Sequence, residues 1–242
     1  MRSPAERHGR WVPLLATMLV ATLCAGLGVW QLGRAQEKRA LQARYERLTR
    51  DPPIEVPPAA LRARDVEFRR VTAHGTFDPR YAVLVDNRVR HGTPGYYVIM
   101  PLALGGGRYV LVNRGWIAGI PDRSRLPDVR TPNTPVEVTG VAVVPAPRVF
   151  ELSTQVTAGN VWQNLTIARY RSAYPVPIQP FVIRQDNTLD DGLVREWQAL
   201  DFGIERHYGY AVQWFLLAAT ALAFYVVTHV RRTRGTRKEK QN

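Results

Sequence analysis

Two long stretches without a charged side chain, one near each end, most constrain how this chain folds. The first runs from Trp11 to Gly33 and has 23 residues, and the second runs from His207 to Val230 and has 24. A helix over either stretch is about 35 Å long, enough to cross the roughly 30 Å hydrocarbon core of a bilayer. The sequence therefore predicts two transmembrane helices, at 11–33 and 207–230.

The first stretch also invites comparison with a cleavable signal peptide. Its apolar run is longer than the roughly 7–15 residues of a signal core, and no clear Ala-x-Ala cleavage site follows it. Cys24 suggests a lipoprotein signal, but Leu23 stands where a small residue is expected. We therefore expect the segment to be retained as a membrane span.

The basic residues at the two ends predict the orientation of these spans. Three arginines and one glutamate precede Trp11, whereas six basic residues and one glutamate follow Val230. Basic segments beside spans stay cytoplasmic, so we expect cytoplasmic tails at 1–10 and 231–242. The residues between the spans then lie in the periplasm, if the protein sits in a bacterial inner (plasma) membrane, or in the intermembrane space, if it sits in the mitochondrial inner membrane. We interpret the basic residues behind the net charge of +13 as determinants of membrane orientation. No nucleic acid is expected as a partner, since no nucleic-acid-binding motif is present.

Residues 34–206, between the spans, are predicted to form an exported, mainly antiparallel β (α+β) domain. It begins with a helical extension over 34–50 and a proline-rich linker over 51–65, because prolines end helices. The only cysteine, Cys24, lies in a predicted span, so the domain folds without an internal disulfide. Alternating β-branched and aromatic residues then predict strands at 66–77, 81–88, 95–104, 108–117, 135–144 and 179–185, with one helix at 166–173.

The sequence offers little support for an enzyme. The nucleophile motif GxSxG, the zinc motif HExxH and the phosphate-binding P-loop are all missing. His74 and His91 are the only histidines between the spans, and they lack a third ligand at a spacing typical of metal sites. We interpret them as surface or turn residues and expect a non-catalytic protein.

Aromatic and polar side chains concentrate where each predicted span meets the outer side. Trp30 and Arg34 lie four residues apart at the end of the first span, and His207, Tyr210 and Trp214 open the second at helical spacing. Aromatic and basic residues are common at membrane interfaces, which accounts for most of this set without a ligand. For His207, a hydrogen bond at the interface and ligation of a metal both remain open.

A haem group accounts for the same residues in another way. His207 would be the axial ligand of the iron, because a neutral imidazole is an ordinary haem ligand. Trp30, Tyr210 and Trp214 would line the macrocycle. The propionates would pair with a basic residue, for which the candidates are Arg34, Lys38 and Arg206.

Five sequence segments resemble the motifs of a known family. They are GVWQLGRAQEKRAL (28–41), GYYVIMPL (95–102), VLVNRGWI (110–117), VWQNL (161–165) and HYGYAVQWF (207–215). In order and spacing, they resemble the surfeit locus protein one family, whose members have two transmembrane helices bracketing an exported domain. The resemblance covers roughly residues 11–230.

This resemblance implies a role in assembling the haem–copper cytochrome c oxidase. Members of the family are thought to help haem a reach the largest oxidase subunit, subunit I, with the haem a synthase as a further partner and membrane lipid around the spans. The family's histidine falls on His207, and its Trp and Gln fall on Trp30 and Gln31. The alternative is a membrane-anchored scaffold that stabilises an oxidase assembly intermediate without binding haem.

The family's Asn-Arg-Gly-Trp motif falls on Asn113, Arg114, Gly115 and Trp116. An arginine at the end of a strand either caps carbonyls and pairs with a carboxylate inside the domain, or contacts a partner. We favour the structural role for Arg114. Gly115 is expected to supply backbone freedom where the strand ends.

Overall fold

Two long helices occupy the ends of the chain in the computed structural model, which describes residues 4–121, 125–147, 157–197 and 201–238. They are α1 (Pro4–Arg50) and α4 (Ile204–Lys238). Each contains an apolar window long enough to cross a membrane, and only 11% of each window is buried. A core helix of a soluble protein would be mostly buried, so the low burial agrees with membrane spans. The ends of the predicted tails (1–3 and 239–242) lie outside the described residues.

Small residues form the contact between α1 and α4. Five buried residues keep a seven-residue spacing on the two helices: Ala21, Gly28 and Ala35 in α1, and Ala211 and Ala218 in α4. A seven-residue repeat returns to the same face of a helix, so each helix presents one line of small side chains. The ring of Phe215 in α4 occupies the space beside Gly28, where an added Cβ would lie 2.8 Å from it.

α1 continues well beyond its apolar stretch and ends at Arg50, immediately before the proline-rich sequence DPPIEVPP. Residues 34–44, predicted as part of the exported domain, group with α4 in one unit, and the second unit begins at Tyr45. The predicted linker 51–65 also contains ordered elements. A short strand and the start of a one-turn helix lie in it: β1 (Ile54–Glu55) and α2 (Ala63–Val66).

The second unit is built from strands. The remaining elements are β2 (Arg70–Phe77), β3 (Val83–Val85), β4 (Gly95–Ala103), β5 (Tyr109–Ala118), β6 (Val136–Val143), β7 (Thr157–Ala158), β8 (Val161–Trp162), α3 (Ile167–Ala173) and β9 (Ile178–Gln185). Each of the six predicted strands overlaps an observed one, although β5 and β9 each extend one residue beyond the predicted range, and the predicted helix 166–173 overlaps α3. Three residues of the loop between β5 and β6 (122–124) lie outside the described residues.

Five of these strands close on themselves. The hydrogen-bonded order runs β2–β6–β9–β5–β4, and β4 pairs back to β2 where Phe77 faces Leu102. Only the β5–β9 pairing in this ring is parallel. The result is a small, mainly antiparallel barrel. The predicted fold class is confirmed, since two long apolar helices bracket a mainly antiparallel β domain with short helices.

Two apolar clusters hold the barrel together. Its interior is filled by alternate strand residues that include Val71, Val98, Met100, Val112, Phe181 and Ile183. The outer face of β3, β4, β5 and β9 is covered by Trp162 from β8 and Tyr170 from α3. The hydroxyl of Tyr170 donates to the carbonyl of Tyr81 at 2.7 Å. Burial raises the pKa of Tyr170, so this phenol stays protonated and keeps its hydrogen bond.

Candidate functional site

A hydrogen bond joins His207 to Gln31 across the contact between α4 and α1. Nδ1 of His207 lies 2.7 Å from Oε1 of Gln31, and both residues are half-buried. An amide oxygen only accepts hydrogen bonds, so in the neutral imidazole this contact favours the tautomer with the proton on Nδ1 and the lone pair on Nε2. Gln31 lies three residues after Gly28, and His207 lies four residues before Ala211. The lines of small residues therefore bring the two side chains to the same helix contact.

A second contact on the same helix pair was not predicted from the sequence. The guanidinium of Arg39 lies over the ring of Tyr208, 5.5 Å from its centroid. Arg39 follows Gln31 by eight residues, close to two helical turns, and Tyr208 follows His207 directly. This helical spacing could have predicted the contact from the sequence, because it places Arg39 on nearly the same face of α1 as Gln31.

The predicted aromatic residues do not all lie at the helix contact. Trp30 is 52% exposed and Tyr210 is 53% exposed, whereas Trp214 is half-buried. Ala211, rather than its neighbour Tyr210, is the buried residue one turn after His207. Trp30 and Tyr210 therefore present open ring surface to the surroundings of the helix pair instead of packing between the helices.

The basic residues considered for propionates are exposed, and two of them have acidic neighbours. Nη1 of Arg34 donates to Glu37 at 2.8 Å, and the guanidinium also lies 5.7 Å from the Trp30 ring. Nη2 of Arg206 lies 3.4 Å from a carboxylate oxygen of Asp201. Exposed pairs of this kind contribute little stability, so either guanidinium is able to exchange its partner for another anion. Lys38 is exposed on α1.

The surroundings of His207 fit a histidine that would hold a haem iron. Metal-bound histidines usually donate their second ring N–H to a carbonyl or carboxylate, which sets the tautomer and the ring orientation, and Gln31 accepts such a bond here. Within the described residues, no three His, Cys, Asp or Glu side chains cluster as a metal site. A bare metal ion would need several protein ligands, whereas the iron of a haem is already held by the four nitrogens of the macrocycle. A site with a single imidazole therefore suits a haem better than a bare ion.

Arg114 is fully buried at one end of the barrel. Its Nη2 donates to Asp191 Oδ2 and to the carbonyl of Arg130, both at 2.9 Å, and its Nη1 donates to Thr131 at 2.8 Å. The guanidinium also lies 4.5 Å from the ring centroid of Phe77. Burial lowers the pKa of Arg114, and the Asp191 carboxylate opposes that effect. Arg114 thus ties two loops, around 130 and 191, to β5.

The other motif residues make contacts inside the same unit. Gly115 has φ 141°, and a Cβ there would lie 2.8 Å from the carbonyl oxygen of Val194, so only glycine fits without strain. Trp116 exchanges two backbone hydrogen bonds with Val194, and its Nε1 donates to the carbonyl of Arg88 at 2.6 Å. Asn113 accepts a long bond, 3.4 Å, from the Gly115 amide. These contacts agree with the structural interpretation of the motif.

Comparison with known proteins places the chain in a family. The sequence model of the SURF1 family matches residues 18–219, which include every candidate residue named above in α1, α4 and the Asn-Arg-Gly-Trp motif. A SURF1-like protein of Rickettsia felis is 24% identical over 220 residues, 88% of this chain and 95% of that protein.

Two further relatives match over shorter stretches. A SURF1-like protein of Dictyostelium discoideum is 39% identical over 106 residues, 40% of this chain and 39% of that protein. Surfeit locus protein 1 of Arabidopsis thaliana is 32% identical over 125 residues, 46% of this chain and 35% of that protein. The match thus spans less than half of the length of these two relatives. Because the family match runs from the first apolar helix to the second, the chain belongs to the SURF1 family.

Proposed function

We propose that this protein binds haem a beside the His207–Gln31 pair and assists its delivery to subunit I of the haem–copper cytochrome c oxidase. Membership of the SURF1 family supports a general role in oxidase assembly. The observation that carries the haem proposal is the hydrogen bond from His207 Nδ1 to Gln31, because it leaves Nε2 as the lone-pair nitrogen. The role is one of binding and transfer, without a catalysed reaction.

The neighbouring side chains have separate tasks in this proposal. Gln31 orients the imidazole, and the exposed rings of Trp30 and Tyr210, together with Trp214, offer apolar surface to the flat macrocycle. Arg34 pairs with a propionate in exchange for Glu37. Haem a, when bound, supplies the iron centre that the oxidase needs. One protein ligand and half-exposed rings give moderate affinity, which suits a site that must release its ligand.

We further propose that the protein spans the bacterial inner (plasma) membrane twice, or the mitochondrial inner membrane in a eukaryote, with both termini in the cytoplasm or matrix and the barrel unit on the outer side. The basic residues at both ends of the chain support this orientation. Subunit I and the haem a synthase are the partners that this placement allows. Lipid surrounds the two spans.

The test is an absorption spectrum of the detergent-purified protein, produced together with the enzymes of haem a synthesis. His207→Ala is compared with His229→Ala, a matched change about 33 Å further along α4. Wild type and His229→Ala are expected to carry haem a bands that weaken or shift in His207→Ala.

Two results would redirect the proposal. Equal haem in all three proteins would retain haem binding but remove His207 as the ligand. No haem in any of them, with the protein folded and haem a available, would favour the scaffold that steadies an oxidase subunit without a cofactor.

A further inference from the structure

Buried side-chain atoms without a hydrogen-bond partner are unevenly distributed among the described residues. Five of the six such atoms are arginine Nε atoms, and all six belong to the barrel unit: Nε of Arg69, Arg88, Arg114, Arg184 and Arg195, and Oε1 of Gln185. Buried donors in folded proteins are nearly always paired. Among the described residues these five guanidiniums are therefore incompletely paired.

Two of these arginines flank a pair of aromatic rings on the outer face of the barrel. The guanidinium of Arg88 lies 5.7 Å from the Tyr97 ring centroid, and that of Arg184 lies 5.6 Å from the Trp197 ring. The two rings pack against each other with centroids 5.5 Å apart. Nε1 of Trp197 donates to the carbonyl of Gln185 at 2.7 Å, which fixes the indole. We call Arg88, Tyr97, Trp197 and Arg184 the arginine–aromatic row.

No described carboxylate neutralises either guanidinium in the arginine–aromatic row. Nη2 of Arg88 makes only long bonds, 3.3 Å to the Gln163 carbonyl and 3.4 Å to Asn164. Nη2 of Arg184 donates to the hydroxyl of Tyr45 at 2.8 Å. Both arginines are half-buried, and within the described part of the chain neither forms an ion pair with a carboxylate.

Two nearby carboxylates are already engaged by other arginines. Asp186, two residues after Arg184, pairs with Arg70 at 3.0 Å. Glu196, directly before Trp197, pairs with Arg90. The row therefore keeps two half-desolvated positive charges, and charges in such surroundings interact more strongly with an added anion than exposed charges do.

We propose that the arginine–aromatic row is a docking surface for an acidic segment of a partner protein, whose carboxylates pair with Arg88 and Arg184. A guanidinium that stacks its face on a ring still presents N–H groups at its edge, and a carboxylate would pair with them in exchange for the neutral acceptors that Nη2 has here. Arg, Trp and Tyr are also the residue types enriched at the energetic centres of protein–protein interfaces. The proposal uses only the barrel unit and does not depend on haem binding.

The test uses a fluorescein-labelled hexaglutamate peptide, whose binding to the full-length protein in neutral detergent is followed by fluorescence anisotropy at low ionic strength. Arg88→Gln and Arg184→Gln are each expected to weaken binding by at least about fivefold. Arg80→Gln is the matched control, because Arg80 lies 5.4 Å from the Tyr81 ring but is paired with Asp78 at 2.7 Å. It is expected to leave binding unchanged. Circular dichroism verifies that each variant is folded.

Three results would overturn the proposal. One is no binding of hexaglutamate to wild type, and another is an equal loss in Arg80→Gln. The third is that the Arg88→Gln and Arg184→Gln variants lose binding to phosphatidylglycerol nanodiscs but still bind hexaglutamate. That result would assign the arginine–aromatic row to a lipid surface. If Arg184→Gln does not fold, Arg184→Lys replaces it, because lysine keeps the charge but lacks the planar guanidinium that binds a carboxylate with two hydrogen bonds. Unchanged peptide affinity in Arg184→Lys would also contradict the proposal.

Discussion

Gln31 favours Nε2 of His207 as the nitrogen available to a ligand, because its amide oxygen accepts the hydrogen bond from Nδ1. Gln31→Ala is expected to lower haem a occupancy about tenfold, since it removes the group that sets the tautomer and orientation of the ligand. Gln31→Glu keeps an oxygen acceptor and should retain the haem. The haem-to-protein ratio and the absorption spectrum of purified protein measure both effects. Gln213→Ala, an exposed glutamine in α4, is the control, and equal loading of all variants would refute the positioning role.

Asp191 is the counter-ion of two buried arginines, Arg114 and Arg195. Asp191→Asn leaves both guanidiniums without a buried negative charge, so the free energy of unfolding should fall by about 3–5 kcal/mol. Its neighbour Asp190 is fully exposed and pairs with the exposed Arg130, so Asp190→Asn should change stability by less than about 0.5 kcal/mol. Denaturant unfolding of the full chain in detergent compares them. Similar losses in the two variants would contradict the structural role of the pair.

These two residue pairs also mark the limit of prediction from the sequence. Family resemblance identified His207, Gln31 and Arg114 as important, but it did not connect Gln31 to the imidazole or Asp191 to the arginine. Gln31 and His207 lie 176 positions apart, and Arg114 and Asp191 lie 77 apart. Periodicity reports only the face of one element, so contacts at such separations depend on how the elements pack.

At the scale of elements, prediction succeeded where a pattern was long enough to repeat. The apolar stretches of α1 and α4 and the alternating residues of β4 and β5 were found in this way. The strands β1, β7 and β8 have two residues each and carry no period. The parallel β5–β9 pairing was also missed, because strand partners are set by closure of the barrel.

Gly28 tests the packing of α1 on α4. Gly28→Val places a side chain where the Phe215 ring lies, so the helices must separate or the ring must move, at a cost of about 1–3 kcal/mol. Gly26→Val is the matched control, because a Cβ at Gly26 meets nothing within 4 Å. Spin labels on cysteines at the exposed positions Leu19 and Leu222, with Cys24 replaced by serine, report the distance between the helices.

The Gly28→Val variant is expected to lengthen and broaden the distribution of distances between the two labels. Gly26→Val should leave it as in the parent. An unchanged distribution in Gly28→Val would show that the small-residue line does not determine how closely the two helices pack.

At the scale of the whole molecule, the charge distribution predicts the topology. Six of the basic residues follow Val230, and only one glutamate accompanies them. Basic segments beside spans stay in the cytoplasm, so we expect the C-terminus there and, with two spans, the N-terminus on the same side. We expect the barrel unit, which lies between the spans in the sequence, on the opposite side.

Reporter insertions test this arrangement in a bacterial host. Alkaline phosphatase inserted in the exposed β4–β5 turn at Gly106 should be active, because that enzyme folds only outside the cytoplasm. Green fluorescent protein fused after residue 242 should fluoresce. Replacing the six basic residues after Val230 by glutamine removes the retention signal and should lower the fluorescence of the C-terminal fusion. Phosphatase that is inactive at Gly106 while the C-terminal reporter fluoresces would place barrel and tail on one side. In that case one apolar helix would not span the membrane, and the barrel would not reach the compartment in which we propose that haem a is transferred.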